Sequence, residues 1–265
     1  MRIIVCIKQV PDTNEVKINQ ETGTLIRKGV PSIMNPDDKN ALEEALKIKD
    51  KYSAEVVILT MGPLQAKDVL KEALSMGADK AVLITDRKFG GSDTWATATI
   101  IAAAIEKIGN YDIIFCGRQA IDGDTAQVGP QIAEFLNLPQ ITYIKALEIK
   151  EEKLEVKRYT ENGDYIYEVK MPVVLTAIKE LNEPRYPTIN GIIENFGDMG
   201  EEKIITFEFA DLILDESQIG LKGSPTNVFK SFVPVKSKIS EIIEGNTTQE
   251  KVDYLIEKLS EIKLI

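Results

Sequence analysis

Short apolar runs alternate with helical patterns over the first half of the chain. The runs are continuous and rich in β-branched residues, which is typical of strands that are covered on both faces of a parallel sheet. The alternation of strand and helix predicts an α/β fold with a doubly wound, mainly parallel sheet and right-handed crossovers. The four predicted strands are residues 3–7, 56–60, 81–85 and 113–116.

Four helices are predicted between and after these strands, and each has start or stop signals. Asn35 can cap the first helix, with Pro36 at its first position and two aspartates in its first turn. Pro63 opens the second helix, which stops at Gly77. The third is predicted over residues 92–108 and the fourth over residues 125–136.

The pattern changes after residue 140. Two apolar stretches, 154–159 and 165–170, flank Asn162-Gly163, which predicts a β-hairpin closed by a type I′ turn. Residues 172–178 predict a further strand. Residues 181–196 hold prolines and glycines without sustained periodicity, and we expect a long irregular loop there.

The last 65 residues predict a short strand at 204–209, an irregular stretch, and a final helix that begins with a capping box from Thr247 to Glu250. They contain too few apolar residues for a core of their own. We therefore expect two parts, a nucleotide-binding α/β domain over residues 1–200 and an extended C-terminal arm over residues 201–265.

Composition and charge narrow the range of partners. The chain has 265 residues, with 32 Lys and Arg against 42 Asp and Glu, and a net charge of -10. Such a chain has no basic field for nucleic acid or for an anionic membrane surface. The longest weakly polar stretch, residues 96–105, is about half of what a membrane-spanning helix needs. The N-terminus predicts a strand and not a signal sequence, so we expect a cytoplasmic protein without membrane insertion.

The absence of histidine limits the chemistry of the chain. Without His there is no Ser-His-Asp or Cys-His activation and no HExxH zinc site. Cys6 and Cys116 lie in apolar runs and have no metal-ligand spacing, so we expect two buried free thiols and no metal site. No catalytic side chain is assigned, and a cofactor would have to carry any reaction.

Four polar loops follow the predicted strands, and a fifth lies just before the first predicted helix. In an open parallel sheet, ligands bind at the carboxyl ends of the strands. Gly123 and the amides that follow it favour an anion such as pyrophosphate, which predicts a nucleotide pocket. Each loop also has a plainer interpretation, as a helix cap or a turn. The loops are residues 9–13, 34–38, 61–63, 90–94 and 117–130.

One loop suggests a different activity. Residues 90–94, Gly-Gly-Ser-Asp-Thr, resemble the Ser-Gly-Gly-x-Asp-Ser loop of ATP pyrophosphatases. Phe89 replaces the leading serine, however, and the loop follows the third predicted strand and not the first. A pyrophosphate-cleaving enzyme is therefore disfavoured.

Longer motifs resemble the β subunit of electron transfer flavoproteins. The similarity covers nearly the whole chain, and its most specific motifs are GRQAIDGDTAQVGPQIAEFLNLPQ and KMPVVLTAIKELNEPRYPTINGI. The resemblance implies a nucleotide-binding α/β fold that pairs with an α subunit carrying its own FAD. It also implies that the C-terminal arm packs on that α subunit. A free-standing nucleotide-sensing module of the same fold is the alternative.

The family divides by the ligand of the β-subunit pocket. Simple carriers hold a structural AMP, whereas bifurcating members hold an FAD that takes a hydride from NADH and serves ferredoxin or flavodoxin and, through the α-subunit FAD, an acyl-CoA dehydrogenase. The chain resembles the bifurcating kind at residues 10–13, with Pro11, Asp12 and Thr13, and at residues 91–94 together with Thr97.

The resemblance also implies site residues. The implied cofactor contacts are Cys6, Pro11, Asp12, Asn35, Pro36, Asp37, Asp38, Met61, Asp93, Thr94, Thr97, Asp122, Gly123, Asp124, Thr125, Ala126, Gln127, Val128, Gly129 and Pro130. The implied contacts with the acyl-CoA dehydrogenase are Arg185, Tyr186 and Ile189.

Overall fold

The computed structural model describes residues 1–12, 17–18, 25–26, 31–151, 153–227, 229 and 240–264. Thr13, part of one predicted cofactor motif, lies outside these residues. The chain divides into two units, Met1–Phe229 and Lys230–Ile265.

The strands are β1 (Arg2–Cys6), β2 (Gln9–Pro11), β3 (Lys17–Ile18), β4 (Leu25–Ile26), β5 (Ser32–Met34), β6 (Glu55–Met61), β7 (Lys80–Ile84), β8 (Ile113–Gly117), β9 (Gln140–Lys150), β10 (Lys153–Thr160), β11 (Gly163–Lys170), β12 (Val173–Ala177) and β13 (Ile204–Phe207). The α-helices are α1 (Pro36–Tyr52), α2 (Lys67–Met76), α3 (Thr94–Ile108), α4 (Val128–Phe135), α5 (Ile189–Asn195), α6 (Asp198–Glu202), α7 (Gly220–Gly223) and α8 (Thr248–Glu261).

Nine strands form one sheet in the order β11-β10-β9-β12-β8-β1-β6-β7-β13. Every pair from β9 to β13 along this order is parallel, and the β9-β10 and β10-β11 pairs are antiparallel. Within this sheet, β6 pairs with one edge of β1 and β8 pairs with the other edge. The crossovers therefore diverge at β1, and a crevice opens beyond the carboxyl ends of β1 and β8.

The two faces of the sheet are covered by different helices, as a doubly wound fold requires. On one face, Leu42 and Leu46 of α1 and Leu70 of α2 are buried against the sheet. On the other face, Ile105 of α3 and Ile132 of α4 are buried. All residues of β8 and β12 are buried, which explains their continuous apolar sequences. The predicted fold class is confirmed.

The predicted hairpin is present, but its turn differs from the expectation. Thr160 pairs with Gly163, so the connection consists of Glu161 and Asn162. Among the turn residues only Gly163 has a positive φ, of 121°. A type I′ turn centred on Asn162 and Gly163 is therefore wrong, because β11 already begins at Gly163 and the turn lies one residue earlier.

The loop expected at residues 181–196 contains a helix. The Thr188 hydroxyl accepts a hydrogen bond from the Gly191 amide at 2.9 Å and so caps α5. Gly191 packs against α2, where a Cβ atom would lie 2.5 Å from the Ser75 carbonyl oxygen. This glycine therefore provides a close helix contact and does not break the helix.

The first unit extends beyond the boundary expected at residue 200. Strand β13 pairs with β7 in parallel and forms one edge of the main sheet. Residues up to Phe229 therefore belong to the same unit as the sheet. In the second unit, Thr247 caps α8 by accepting from the Glu250 amide, and the Glu250 carboxylate accepts from the Asn246 amide at 2.8 Å.

Candidate functional site

A cavity of about 500 Å³ lies at the carboxyl ends of β1, β6 and β8. The ends of these strands form its floor through Cys6, Met61 and Cys116. Its walls are the loop that precedes α4 and the first turns of α3. This is the crevice of the sheet's switch point, where open α/β folds bind their ligands.

The cavity brings together most of the predicted cofactor residues. Those that line it are Cys6, Asp38, Met61, Asp93, Thr94, Thr97, Gly123, Asp124, Thr125, Ala126, Gln127, Val128 and Gly129. Those that do not line it are Pro11, Asp12, Asn35, Pro36, Asp37, Asp122 and Pro130. Pro11 belongs to the β2-β5 ribbon, and the Asp12 amide donates to the Pro31 carbonyl oxygen at the end of that ribbon.

Asp38 joins the ends of β1 and β8. It occupies the third position of α1, and its carboxylate accepts from the Lys8 amide at 2.8 Å and from the Gly117 amide at 3.0 Å. Burial raises the pKa of Asp38 to about 7, although both amides favour the carboxylate form. Gly117 allows this approach, because a Cβ atom there would lie 2.2 Å from the Asp38 Oδ1 atom.

Asn35 supports the loop over the cavity and does not itself line the cavity. Its side-chain amide donates to the Gln119 carbonyl oxygen at 2.8 Å and accepts from the Ile121 amide at 3.1 Å. The residue is fully buried, so these bonds satisfy its polar atoms. Asn35 is the residue before α1, but its side chain holds the loop before α4 and does not cap the backbone of α1.

Two cationic side chains occur among the described residues that line the cavity, Lys8 and Arg118. The Lys8 ammonium lies 2.7 and 2.8 Å from the two carboxylate oxygens of Asp122. The Arg118 Nε atom lies 3.2 Å from Asp37 Oδ2. Asp122 and Asp37 therefore orient the cations from outside the cavity, and the cations are placed to meet an anionic group.

The loop before α4 has an unusual backbone. Asp124 and Ala126 have positive φ angles of 49° and 52° although neither is a glycine. Such conformations are uncommon for non-glycine residues and cluster at ligand-binding sites. Helix α4 begins at Val128, three residues later than predicted, because residues 125–127 belong to this loop.

The loop before α3 uses its polar groups internally. The Asp93 carboxylate accepts from the Ala96 amide at 3.1 Å and from the Thr226 amide at 2.9 Å. Partial burial would raise the pKa of Asp93, but its hydrogen bonds, led by that from the Thr226 hydroxyl, hold it below the usual value. The Thr94 hydroxyl donates to the Gln127 side-chain oxygen at 3.2 Å, so the two walls of the cavity meet there.

Cys6 and Cys116 are free and buried, as predicted. Cys6 follows Val5 and Cys116 follows Phe115, and Val5 and Phe115 are partners in the parallel β1-β8 pair. Interaction with Cys6, together with burial, raises the pKa of the Cys116 thiol well above its usual value. Both thiols therefore form part of a weakly polar cavity floor.

Some lining residues were not in the predicted contact set. Ile7 and Lys8 directly follow β1, and Ile101 continues the spacing of Thr94 and Thr97 along α3, so position alone could have indicated them. Cys116 lies in an apolar strand, and Phe89 is a single aromatic residue between charged residues and glycines, so neither carries such a signal. Within the described ranges no helix has the length and hydropathy needed to cross a membrane.

The comparisons with known proteins agree on one family. A family model described as the electron transfer flavoprotein domain matches residues 22–212. The chain is 57% identical over 260 residues to the electron transfer flavoprotein subunit beta of Thermoanaerobacterium thermosaccharolyticum, covering 98% of each chain. The chain belongs to the β-subunit family of electron transfer flavoproteins.

Two further members of this family are named for larger complexes. The caffeyl-CoA reductase-Etf complex subunit CarD of Acetobacterium woodii is 51% identical over 266 residues, covering 100% of both chains. The acryloyl-CoA reductase electron transfer subunit gamma of Anaerotignum propionicum is 48% identical over 273 residues, again covering 100% of both chains.

The three residues that the electron transfer flavoprotein resemblance marks for docking have different surroundings. Tyr186 and Ile189 are 88% and 77% exposed. Arg185 instead faces α1, where its guanidinium donates to the Glu43 carboxylate at 2.9 and 3.1 Å and to Asp50 at 2.8 Å. Tyr186 and Ile189 therefore offer a free surface, whereas Arg185 holds their segment on the fold.

Proposed function

We propose that the chain is the β subunit of a heterodimeric electron transfer flavoprotein of the bifurcating kind, and that its cavity holds FAD. When bound, this FAD would accept a hydride from NADH and pass electrons to ferredoxin or flavodoxin and, through the α-subunit FAD, to an acyl-CoA dehydrogenase. The names of relatives that belong to caffeyl-CoA and acryloyl-CoA reductase systems support the link to acyl-CoA chemistry.

The observation that carries the proposal is the continuity of the cavity. One space of about 500 Å³ runs from the strand ends at Cys6 and Cys116 to the α3 wall at Thr94 and Thr97. Ligand pockets occupy about 300–1,000 Å³. A dinucleotide needs partners for two phosphates, a polyol chain and a ring, and the α3 wall adds hydroxyls beyond those of the loop before α4.

The lining supplies groups that fit such a ligand. Lys8 and Arg118 are held at the cavity by Asp122 and Asp37, and they can neutralise phosphate charge without rearranging. The apolar side chains of the lining can cover a flavin ring and exclude water from it. They are Ile7, Met61, Phe89, Ile101 and Val128.

A second candidate, a simple carrier with AMP in this cavity, is favoured by one observation. Asp93 was expected to contact the larger ligand, and Ser92 belongs to the same motif. The Ser92 hydroxyl instead donates to the Phe89 carbonyl oxygen and accepts from the Gly220 amide, and the Asp93 carboxylate is occupied by Ala96 and Thr226. Fewer polar groups therefore remain for the parts that FAD adds to AMP.

A cofactor count on the purified complex with the α subunit tests the proposal. After denaturation, chromatography of the released ligands should show two FAD per complex and no AMP. Thr94→Val combined with Thr97→Val should lower FAD occupancy of the β subunit and spare the α-subunit FAD. Thr99→Val is the matched control, because the Thr99 hydroxyl bonds to the Trp95 carbonyl oxygen on the same helix outside the cavity. One FAD with one AMP, and no NADH-driven ferredoxin reduction, would assign the protein to the simple carriers.

The proposed partner of the second unit is the α subunit. Val252, Leu255 and Ile256 lie on one stripe of α8, and all three are exposed. Co-expression followed by size-exclusion chromatography should give a stable αβ complex. A well-behaved homo-oligomer that ignores the α subunit would instead support a nucleotide-sensing module.

A further inference from the structure

A late segment of the chain forms the outer side of the glycine-containing loop before α3. We call residues 219–226 the buttress. Its Leu221 amide donates to the Gly90 carbonyl oxygen at 3.1 Å, and its Gly220 amide donates to the Ser92 hydroxyl at 3.1 Å. The loop is thus joined through its backbone and side chains to residues about 130 positions later in the chain.

The glycines of the loop allow the buttress to approach. Gly91 has a φ of 77°, and a Cβ atom there would lie 3.0 Å from the Leu221 Cβ atom. Gly220 of the buttress has a φ of 63°, and a Cβ atom there would lie 2.2 Å from the Lys88 carbonyl oxygen. The sequence Gly-Gly-Ser therefore forms a packing surface for the buttress, although its composition is that of a phosphate-binding loop.

Asp93 is the centre of this contact. Its amide donates to the Ser224 hydroxyl at 2.8 Å, and its Oδ2 atom accepts from both the amide and the hydroxyl of Thr226, at 2.9 and 2.7 Å. Its Oδ1 atom accepts from the Ala96 amide and caps α3. Ser224 is itself buried and donates to the Gly220 carbonyl oxygen at 2.7 Å, which closes the buttress on itself.

We propose that Asp93 is a positioning residue that clamps the buttress and thereby holds the α3 wall of the cavity in the shape that FAD requires. Thr94 and Thr97, which follow Asp93, line the cavity, and the Thr94 hydroxyl donates to the Gln127 side-chain oxygen of the opposite wall. The inference rests on the proposed function for the identity of the ligand. Asp93 affects binding of that ligand through the buttress and not by direct contact with the ligand.

Two variants separate these roles. Asp93→Asn keeps one oxygen for the Ala96 amide but turns an NH2 group toward the Thr226 amide, so the cap remains, the bond from that amide is lost and the clamp is weakened. Thr226→Val removes only the Thr226 hydroxyl that donates to the Asp93 carboxylate and keeps the Thr226 amide. Asp215→Asn is the matched control, because the Asp215 carboxylate accepts only from Ser217, two residues away, among the contacts of the described chain.

The experiment titrates FAD and AMP separately onto the αβ complex after removal of its nucleotides. Asp93→Asn should weaken FAD binding about tenfold, Thr226→Val should weaken it less, and the double variant should be no worse than Asp93→Asn. AMP binding should stay within about twofold, and Asp215→Asn should behave as the wild type. Hydrogen exchange at residues 90–94 and 219–226 should speed up in Asp93→Asn without ligand.

Two results would overturn the inference. Weaker FAD binding in Asp93→Asn, with unchanged Thr226→Val binding and unchanged hydrogen exchange, would show that Asp93 touches the ligand directly. Unchanged FAD binding in both variants would show that the clamp does not shape the cavity. If the wild-type complex binds AMP but not FAD, the proposed function is wrong, and hydrogen exchange alone then tests whether Asp93 clamps the buttress. Unchanged exchange in Asp93→Asn would refute the clamp.

Discussion

Gly117→Ala tests whether the junction of β1, β8 and α1 holds the floor of the cavity. An alanine Cβ atom at this position would lie 2.2 Å from Asp38 Oδ1 and 2.7 Å from the Asp38 amide nitrogen. Neither Asp38 atom can move aside freely, because Asp38 is buried in the first turn of α1. The carboxylate must rotate away, or the start of α1 must move.

The magnitude follows from what is lost. Overpacking of a tight site costs about 1–3 kcal/mol. Displacing the carboxylate also breaks its bond with the Gly117 amide, and a buried bond to a charged group is worth about 1.5–3 kcal/mol. Together these give a loss of about 2.5–6 kcal/mol in the free energy of unfolding. At about 2–4 °C per kcal/mol, the midpoint of thermal unfolding should fall by roughly 5–24 °C.

The assay is thermal unfolding of the αβ complex, with retention of the cavity nucleotide as a second measurement. Gly123→Ala is the matched control. Gly123 lies in the loop that follows β8 and lines the same cavity, yet an alanine Cβ atom there would have no atom within 4 Å beyond its chain neighbours. It should change the midpoint by no more than about 2 °C, the effect of about 0.5 kcal/mol. Equal effects of the two substitutions would refute the role given to the Gly117-Asp38 contact.

Two further outcomes follow from the surface and from the cavity floor. Ile189→Ala should weaken docking of the acyl-CoA dehydrogenase by up to roughly 2 kcal/mol and so slow electron transfer to it, while NADH oxidation by an artificial dye stays intact. Ile213→Ala, at a 99% exposed position elsewhere, should change neither activity. Equal loss of both activities in Ile189→Ala would indicate damage to the fold. The native complex should resist iodoacetamide at pH 8, because burial and a raised pKa keep the Cys116 thiol protonated and Cys6 is also buried. Rapid labelling of both cysteines before unfolding, followed by mass spectrometry, would contradict this placement.

The elements of the sheet could be predicted because their signals are local. Continuous β-branched runs marked the buried strands, and Asp93 and Gly109 bound α3 as start and stop residues do. Helix α5 escaped prediction because Gly191, which suggested a loop, is required by a contact with Ser75 that only the fold creates. The turn of the hairpin also depends on strand register, which the Asn-Gly pair alone does not determine.

The position of the cavity could be predicted from the sequence, but the roles of several residues around it could not. Loops after parallel strands converge by topology, so the regions around Asp38, Met61 and residues 123–129 were expected together. The roles of Asn35 and Asp93 depend on partners 84 and 133 positions away, Gln119 and Thr226. The family resemblance marks both as ligand contacts, whereas their hydrogen bonds go to the protein.

Helix α1 touches both the cavity and the exposed segment at Tyr186. Its first turn carries Asp38, and its middle holds that segment, since Asn40 donates to the Asn182 carbonyl oxygen at 2.7 Å and Glu43 accepts from Arg185. Its 17 residues make a rod of about 25 Å. The cavity and the segment at Tyr186 are therefore anchored on one rigid helix, with Asp38 and Glu43 about 7.5 Å apart along its axis.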